Sequence, residues 1–166
     1  MILGLLSDTH GHLPRTERAL DLLRSRGAEH LIHCGDLGGE PIVDLLFEQR
    51  ETGLPVTAVP GNVDEWDPDL ILYTKKLGLP LPRTARLEID ALRIAVFHGH
   101  DPREMNALRA DAKLDLLFTG HTHVARDDQE NGLRIVNPGA VYRARVPSVA
   151  LFDTRTRECR FLELDA

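Results

Sequence analysis

The chain has 166 residues, 42% hydrophobic and 28% charged, which is the size and composition of one globular domain over residues 1–166. Acidic residues outnumber basic ones by 26 to 20, so the formal net charge of −6 argues against a protein that holds long nucleic acid by neutralising its phosphates. No run approaches the roughly 20 apolar residues of a membrane span, and the two cysteines form no disulfide framework, so we expect a cytoplasmic protein without a membrane segment.

The first half of the chain alternates short apolar runs with amphipathic stretches. The pattern predicts strand, helix, strand, helix and strand, in that order, over residues 2–7, 14–27, 30–35, 40–53 and 55–61. The first run, "ILGLLS", is continuously apolar, as expected of a strand that is covered on both faces. Because strands alternate with helices, we expect parallel strands joined by helical crossovers.

The second half is richer in strands. The pattern predicts two adjacent strands, a helix, a strand and a final strand pair over residues 84–89, 92–97, 103–112, 113–120, 148–153 and 159–165. Between the strand at 113–120 and the final strand pair, Asn131–Gly132 is a strong signal for a hairpin turn.

The segment 65–83 is the least regular part of the chain. It contains three prolines and the only tryptophan, Trp66. We interpret it as a connecting loop with a short helix, and the alternative is a lid or an oligomer contact. Trp66 is a candidate either for such a contact in a homo-oligomer or for stacking on a nucleobase.

Residues able to bind a metal follow five of the predicted strands. They are Asp8, His10, Asp36, Asn62, His98, His121 and His123. A single Asp or Asn after a strand is usually a turn residue or a helix cap, and a single histidine is usually a hydrogen-bonded polar group. Seven such residues together favour a shared site, because the loops at the carboxyl ends of strands converge on one crevice.

The residue types fit a centre of two metal ions. Imidazole, carboxylate and amide ligands suit Mn, Fe, Ni, Co or Zn, and the lack of cysteine among them argues against a structural zinc cage. Seven ligands are too many for one ion but fit two ions that share a carboxylate. Two divalent ions carry +4 and Asp8 with Asp36 supply −2, so the remaining charge would attract a phosphate into an otherwise acidic protein.

The order of these residues resembles the signature of the calcineurin-like metallophosphoesterases. The matching pieces are Asp8-Thr9-His10, Gly35-Asp36, Gly61-Asn62, His98 and Gly120-His121-Thr122-His123. The stretch "NPGA" at 137–140 is similar to a turn of the small single-domain bacterial and archaeal phosphodiesterase-like members.

The resemblance implies an α/β fold, a four-layer α/β/β/α sandwich of two mixed sheets. It implies one ion on Asp8, His10, Asp36 and His123, and a second ion on Asp36, Asn62, His98 and His121, with Asp36 as the bridge. The implied enzyme uses two divalent ions, Mn²⁺ foremost, and hydrolyses a small phosphodiester by attack of a metal-bridging hydroxide. Asn62 would bind through its carbonyl oxygen and keep its NH₂ group as a donor.

The chain departs from the family pattern at one position. Many members have a histidine after Gly-Asn that is thought to assist the leaving group, whereas Val63 stands here. Valine cannot transfer a proton. We therefore hypothesise that the site favours phosphodiesters with good leaving groups, or that His100 or His12 acts as the acid. His33 is interpreted as support at a strand end rather than as a ligand.

Other classes of function stay open at this point. A phosphomonoesterase would use the same centre. A retromer subunit that resembles this fold serves protein binding, so a non-catalytic interaction scaffold is a further alternative. A nuclease for long DNA or RNA would need a basic track, which the composition does not provide.

Overall fold

Ten strands and four helices make up the structure, a computed structural model that describes residues 1–164. The strands are β1 Ile2–Leu6, β2 His30–His33, β3 Val56–Ala58, β4 Thr84–Ile89, β5 Leu92–Phe97, β6 Leu116–Phe118, β7 Arg126–Glu130, β8 Leu133–Asn137, β9 Ser148–Asp153 and β10 Cys159–Glu163. The helices are α1 Leu13–Ser25, α2 Glu40–Glu51, α3 Pro68–Lys76 and α4 Pro102–Arg109.

The strands form two five-stranded mixed sheets. The first sheet has the order β10-β9-β1-β2-β3, in which β1, β2 and β3 are parallel and β9 and β10 run antiparallel to their neighbours. The second has the order β4-β5-β6-β8-β7, with β5, β6 and β8 parallel and an antiparallel strand at each edge. The parallel strands joined by helices confirm the expected crossovers.

Alternation along the central strands divides their side chains between two layers of the core. In β1, Leu3 and Leu5 pack between the sheets, whereas Leu6 packs against the helices of the first sheet. In β6, Phe118 packs between the sheets and Leu117 packs in the cluster that contains Leu108 of α4. Since the side chains of a strand point alternately to its two faces, both sheets are buried on both sides. The predicted four-layer α/β/β/α sandwich is confirmed.

The hairpin turns and the last strand lie where the sequence predicts them. Asn131 and Gly132 both have positive φ, 50° and 91°, which is the backbone of a tight hairpin turn between β7 and β8. Asp90 and Ala91 turn the β4–β5 hairpin in the same way, with φ of 50° and 61°. The last predicted strand, 159–165, corresponds to β10, and its final residue lies outside the described residues.

Several strands end earlier than the apolar runs suggested. The runs 2–7, 30–35, 55–61 and 113–120 shorten to β1, β2, β3 and β6, because their last residues leave the sheet to form the loops described below. The irregular segment 65–83 contains α3, which begins after Asp67, whose side chain accepts hydrogen bonds from the N–H groups of Asp69 and Leu70. No helix in the described part of the chain is both long and apolar enough to cross a membrane.

We expect Phe118→Ala to lower the free energy of unfolding by about 3–5 kcal/mol, because it removes a buried ring between the sheets. Phe118 lies edge-on to Phe152 with ring centroids 5.6 Å apart, and both rings are fully buried. Urea unfolding at neutral pH measures the loss. Phe161→Ala, at a partly exposed ring, is the control and should cost far less; equal losses would contradict this view of the core.

Candidate metal centre

All seven predicted ligand residues lie at the carboxyl ends of the central strands. Asp8 and His10 follow β1, Asp36 follows β2, and Asn62 follows β3. In the second sheet, His98 follows β5, and the loop after β6 carries the two histidines His121 and His123. The two sheets stack with these ends together, so seven side chains from five loops meet at one place.

Five of the seven have a backbone that side-chain-bearing residues seldom adopt. Their φ values are positive: 56° at Asp8, 44° at His10, 55° at Asp36, 69° at His121 and 59° at His123. Such left-handed residues cost conformational free energy and persist where the surrounding structure requires them, often at functional sites. The concentration of strain in these loops supports a functional centre here.

The first group of donors surrounds one carboxylate oxygen. The Nε2 atom of His123 lies 3.1 Å from Oδ1 of Asp8, and Nε2 of His10 lies 3.9 Å from the same oxygen. The two imidazole Nε2 atoms are 3.2 Å apart, and that of His10 is also 3.8 Å from Oδ2 of Asp36. These atoms are close enough to bind a single cation.

A second group lies beside the first, on the other oxygen of Asp36. Nε2 of His98 is 3.4 Å from Oδ1 of Asp36 and 3.2 Å from Oδ1 of Asn62. The ring of His121 stands edge-on to that of His98, with centroids 5.1 Å apart. Asp36 thus faces the first group with one oxygen and the second with the other, as expected of a bridge. Asp8 also reaches both, because its Oδ1 is 4.0 Å from Nε2 of His98.

Hydrogen bonds behind the rings fix which nitrogen faces inward. Nδ1 of His98 lies 2.8 Å from the carbonyl oxygen of Cys34, and Nδ1 of His123 lies 3.1 Å from that of Arg143. A carbonyl can only accept, so both Nδ1 atoms carry hydrogen and both rings turn their Nε2 atoms towards the carboxylates. A cation or a proton must lie between such an Nε2 atom and the carboxylate oxygens that it faces.

Within residues 1–164, the two buried carboxylates pair with histidines and with no lysine or arginine. Asp8 is fully buried, and among the described residues its Oδ1 has no hydrogen-bond partner, while its Oδ2 accepts the N–H of His121. An unpaired buried charge is costly. The mixed carboxylate, imidazole and amide donors also suit a divalent transition metal. The residues present therefore fit the metal ions that the sequence predicts.

The ionisation of these groups agrees with that fit. Burial acts to raise the pKa of Asp36, but the bond and charge of His98 and the N–H of Val63 bring the pKa to about 2. Burial acts to lower the pKa of His98, and the hydrogen bond and charge of Asp36 outweigh it and raise the pKa. Burial lowers the pKa values of His10 and His121. The carboxylate is therefore ionised and the latter two imidazoles are neutral near pH 7, as metal ligands must be.

Two motif glycines are required by the close approach of loops. A Cβ atom on Gly61 would lie 2.0 Å from Oδ1 of Asp36, and one on Gly120 would lie 2.0 Å from Oγ of Ser7 and 2.8 Å from Oδ2 of Asp8. No side chain fits at such distances. Gly61 thus lets its loop contact the carboxylate of Asp36, and Gly120 lets its loop contact that of Asp8.

Asp64 was not identified from the sequence but holds two of these loops together. Its buried carboxylate accepts the N–H groups of Leu37, Gly38 and Gly61, each at 2.9 Å. Burial raises its pKa, while the three backbone bonds act in the opposite direction. It therefore fixes the segment after Asp36 against the segment before Asn62. The only sequence feature that could have indicated this role of Asp64 is its position two residues after Asn62 in the same turn.

The remaining histidines occupy different places. His100 lies near the centre, with its ring centroid 5.5 Å from that of His98 and its Nε2 2.7 Å from Oε2 of Glu65. His12 caps α1, accepts the N–H of Arg15 at Nδ1 and stacks on Tyr142. The Glu65 partner of His100, contributed by the irregular segment, was not foreseen. His30 lies at the opposite end of β2.

His33 is fully buried behind the centre, in agreement with the interpretation of a supporting residue. Its Nδ1 accepts the N–H of Gly35 at 3.1 Å, and its Nε2 is 3.0 Å from Oγ1 of Thr9. Because the Thr9 hydroxyl donates to the carbonyl of Leu37, His33 donates from Nε2. Burial lowers its pKa to about 3, so the ring is neutral and both nitrogens are used within the protein.

The comparison with known families agrees with this centre. The model of the calcineurin-like phosphoesterase superfamily domain matches residues 1–157. The chain therefore belongs to the calcineurin-like phosphoesterase superfamily, and the resemblance carried by the motifs is confirmed. The predicted class of enzyme, a metal-dependent phosphoesterase, is confirmed at the level of the family.

Individual relatives cover most of the chain. Phosphodiesterase MJ0936 of Methanocaldococcus jannaschii is 27% identical over 169 residues, which span 99% of this chain and 100% of the relative. Phosphodiesterase YfcE of Escherichia coli K12 is 31% identical over 156 residues, 85% of this chain and 79% of the relative. The solved structure of an archaeal phosphodiesterase superposes with a TM-score of 0.85 at 27% identity and covers 99% of this chain and 100% of its own.

We expect stability to fall with acid in a way that depends on His33. Its pKa is about 3 when folded and 6.5 when exposed, so the unfolded state binds the extra proton and stability is lost as pH falls below 6.5. The loss approaches about 1.4 kcal/mol per pH unit. Urea unfolding at about pH 6.5 and pH 5 should show roughly 2 kcal/mol more acid destabilisation in the wild type than in His33→Gln. Equal acid sensitivity of the two proteins would contradict a neutral buried His33.

Proposed function

We propose that the protein is a phosphodiesterase that hydrolyses a small phosphodiester with two divalent ions, Mn²⁺ foremost. One observation carries this proposal: the donor atoms of five candidate ligands, Asp8, His10, Asp36, His98 and His123, lie close together around a buried Asp8 oxygen that has no hydrogen-bond partner among the described residues. Fe, Ni, Co and Zn also suit these donors. The cytoplasmic location and a homo-oligomer stay predictions from the sequence.

The assignment of ligands follows the two groups. One ion would be held by Asp8, His10, Asp36 and His123, and the other by Asp36, Asn62, His98 and His121. The opposite orientation of the two Asp36 oxygens supports its role as the bridge. The hydrogen bonds from His98 and His123 to backbone carbonyls support binding through Nε2.

The residues around the centre supply the remaining chemistry. When bound, two divalent ions supply Lewis-acid charge and lower the pKa of water towards neutrality. Asn62, whose Oδ1 faces His98, keeps its NH₂ group to donate to a phosphoryl oxygen. Burial of Asp8, Asp36 and His98 keeps competing water away from these donors and fixes their geometry before substrate arrives.

His100 is our candidate for assisting the leaving group. Val63, where many family members have histidine, is 45% exposed and offers no proton. Nδ1 of His100 is buried without a hydrogen-bond partner among the described residues, while Nε2 is held by Glu65. A carboxylate on one nitrogen orients the ring and leaves the other nitrogen for a substrate oxygen. His12 is less suited, because its Nδ1 caps α1.

We expect metal-depleted protein to be inactive and to regain hydrolysis of bis(p-nitrophenyl) phosphate on addition of Mn²⁺, faster than hydrolysis of p-nitrophenyl phosphate. His121→Ala should lose more than the roughly 10–100-fold that removal of a ligand's supporting partner costs. His30→Ala is the matched control and should keep wild-type activity, because His30 contacts Thr57 away from the centre.

The same assay separates the alternatives. Faster turnover of the monoester would favour a phosphomonoesterase. A folded protein that shows no turnover with Mn²⁺, Ni²⁺, Co²⁺ or Zn²⁺ and binds none of them would overturn the proposal and leave the interaction scaffold.

We expect His100→Ala to slow a diester with an alkyl leaving group by about 10²–10⁴-fold, since this leaving group needs a proton. The loss on a p-nitrophenyl diester should be much smaller, because p-nitrophenolate leaves without one. Measurement of kcat on both substrates, with metal content checked in parallel, gives the ratio. His12→Ala should keep the wild-type ratio between the substrates. An equal loss on both substrates in His100→Ala would show that His100 does not serve the leaving group.

A further inference from the structure

The loop 138–147, between β8 and β9, borders the candidate metal centre. The N–H of Val141 donates to the carbonyl of Ser7 at 3.0 Å, and that of Tyr142 donates to the carbonyl of Asp8 at 3.1 Å. The loop is therefore bonded to the same backbone that carries a proposed ligand. The position of the next residue, Arg143, is fixed relative to the centre.

The backbone of Arg143 is held in an uncommon conformation by this arrangement. Its φ is 61°, in the left-handed region. Its carbonyl oxygen accepts the Nδ1 hydrogen of His123 at 3.1 Å, which orients that ring. The left-handed backbone of Arg143 thus positions the carbonyl that holds His123. The side chain of Arg143 is exposed and extends from the edge of the centre.

In residues 1–164, the guanidinium group of Arg143 has no acidic partner. Arg83, Arg93 and Arg134 each pair with an aspartate, whereas no carboxylate among the described residues pairs with Arg143. Its guanidinium carbon lies 5.7 Å from the centroid of the Tyr142 ring.

Tyr142 in turn stacks on His12 at 4.3 Å, so the aromatic contacts restrict the arginine without neutralising it.

We propose that Arg143 is a phosphate-binding residue whose guanidinium holds the non-bridging phosphoryl oxygens of the ester at the metal centre. A planar guanidinium matches two phosphate oxygens with parallel N–H donors, and it stays charged at every working pH. An unpaired arginine at the rim adds positive charge in a protein with a net charge of −6. The inference deepens the proposed function and rests on it for the nature of the substrate.

The chain provides a matched control two residues away. Arg145 is exposed in the same loop, and no contact with the candidate metal ligands is found for it among the described residues. The variants to compare are Arg143→Ala, Arg143→Lys and Arg145→Ala. All three variants keep the backbone carbonyl that orients His123. Weaker phosphate binding in Arg143→Ala and Arg143→Lys would therefore come from loss of the guanidinium group.

Two readouts test the proposal. Calorimetry measures the Kd for inorganic phosphate on the Mn²⁺-loaded protein, and steady-state kinetics with bis(p-nitrophenyl) phosphate gives kcat and KM. We expect Arg143→Ala to raise the Kd at least about tenfold and to raise KM, since hydrogen bonds to charged groups are among the strong ones. Arg143→Lys should recover part of this loss, Arg145→Ala should match the wild type, and metal stoichiometry should be unchanged in all.

The outcomes separate this inference from the proposed function. Phosphate binding in Arg143→Ala equal to that in Arg145→Ala would overturn the inference, and so would loss of metal in Arg143→Ala, which would assign the residue to holding the ions. If the wild type hydrolyses no ester but binds phosphate through Arg143, the proposed hydrolysis is wrong and the phosphate site stands. If the wild type hydrolyses the diester and Arg143→Ala binds phosphate and turns over substrate as the wild type does, the proposed hydrolysis stands and the phosphate site at Arg143 is wrong.

Discussion

Direct contact between the loops of two separate sheets is the constraint on which the structure depends. The N–H of His121, from the second sheet, donates to the Asp8 carboxylate of the first, and Nδ1 of His98 bonds to the carbonyl of Cys34. Gly120 allows this approach, because any side chain there would overlap Ser7 and Asp8. The buried side chains between the sheets bring the strand ends together, and these bonds fix their final distance.

This contact has an electrostatic cost that the protein chain alone does not offset. Asp8 and Asp36 are buried near each other, and the rings of His98 and His123 turn their Nε2 atoms towards them. In a low-dielectric environment, burying two carboxylates and the imidazoles around them costs free energy unless positive charge lies among them. The left-handed residues in the same loops add conformational strain. The loops are thus organised for a function and at the expense of stability.

Apolar periodicity reports burial directly and therefore predicts most of the strands and helices, whereas the four-layer arrangement was implied by the family resemblance. Polar residues at the ends of buried strands predict that the seven candidate ligands lie at the edge where loops converge. Contacts between distant loops leave no periodic signal. The pairing of Glu65 with His100, the clamp by Asp64 and the exposed Arg143 beside His123 depend on how the loops fold over one another. The predicted strands extend too far because the ligand loops begin with buried residues, Ser7, Cys34, Val59 and Thr119, which continue the buried runs.

The donor set is divided between the sheets: Asp8, His10, Asp36 and Asn62 come from the first, and His98, His121 and His123 from the second. An ion shared by them would act as a crosslink between the two halves of the fold. Ligands that bind only the folded state add their binding free energy to its stability. The supply of metal in the cell would then set the lifetime and abundance of the folded protein as well as its catalytic rate.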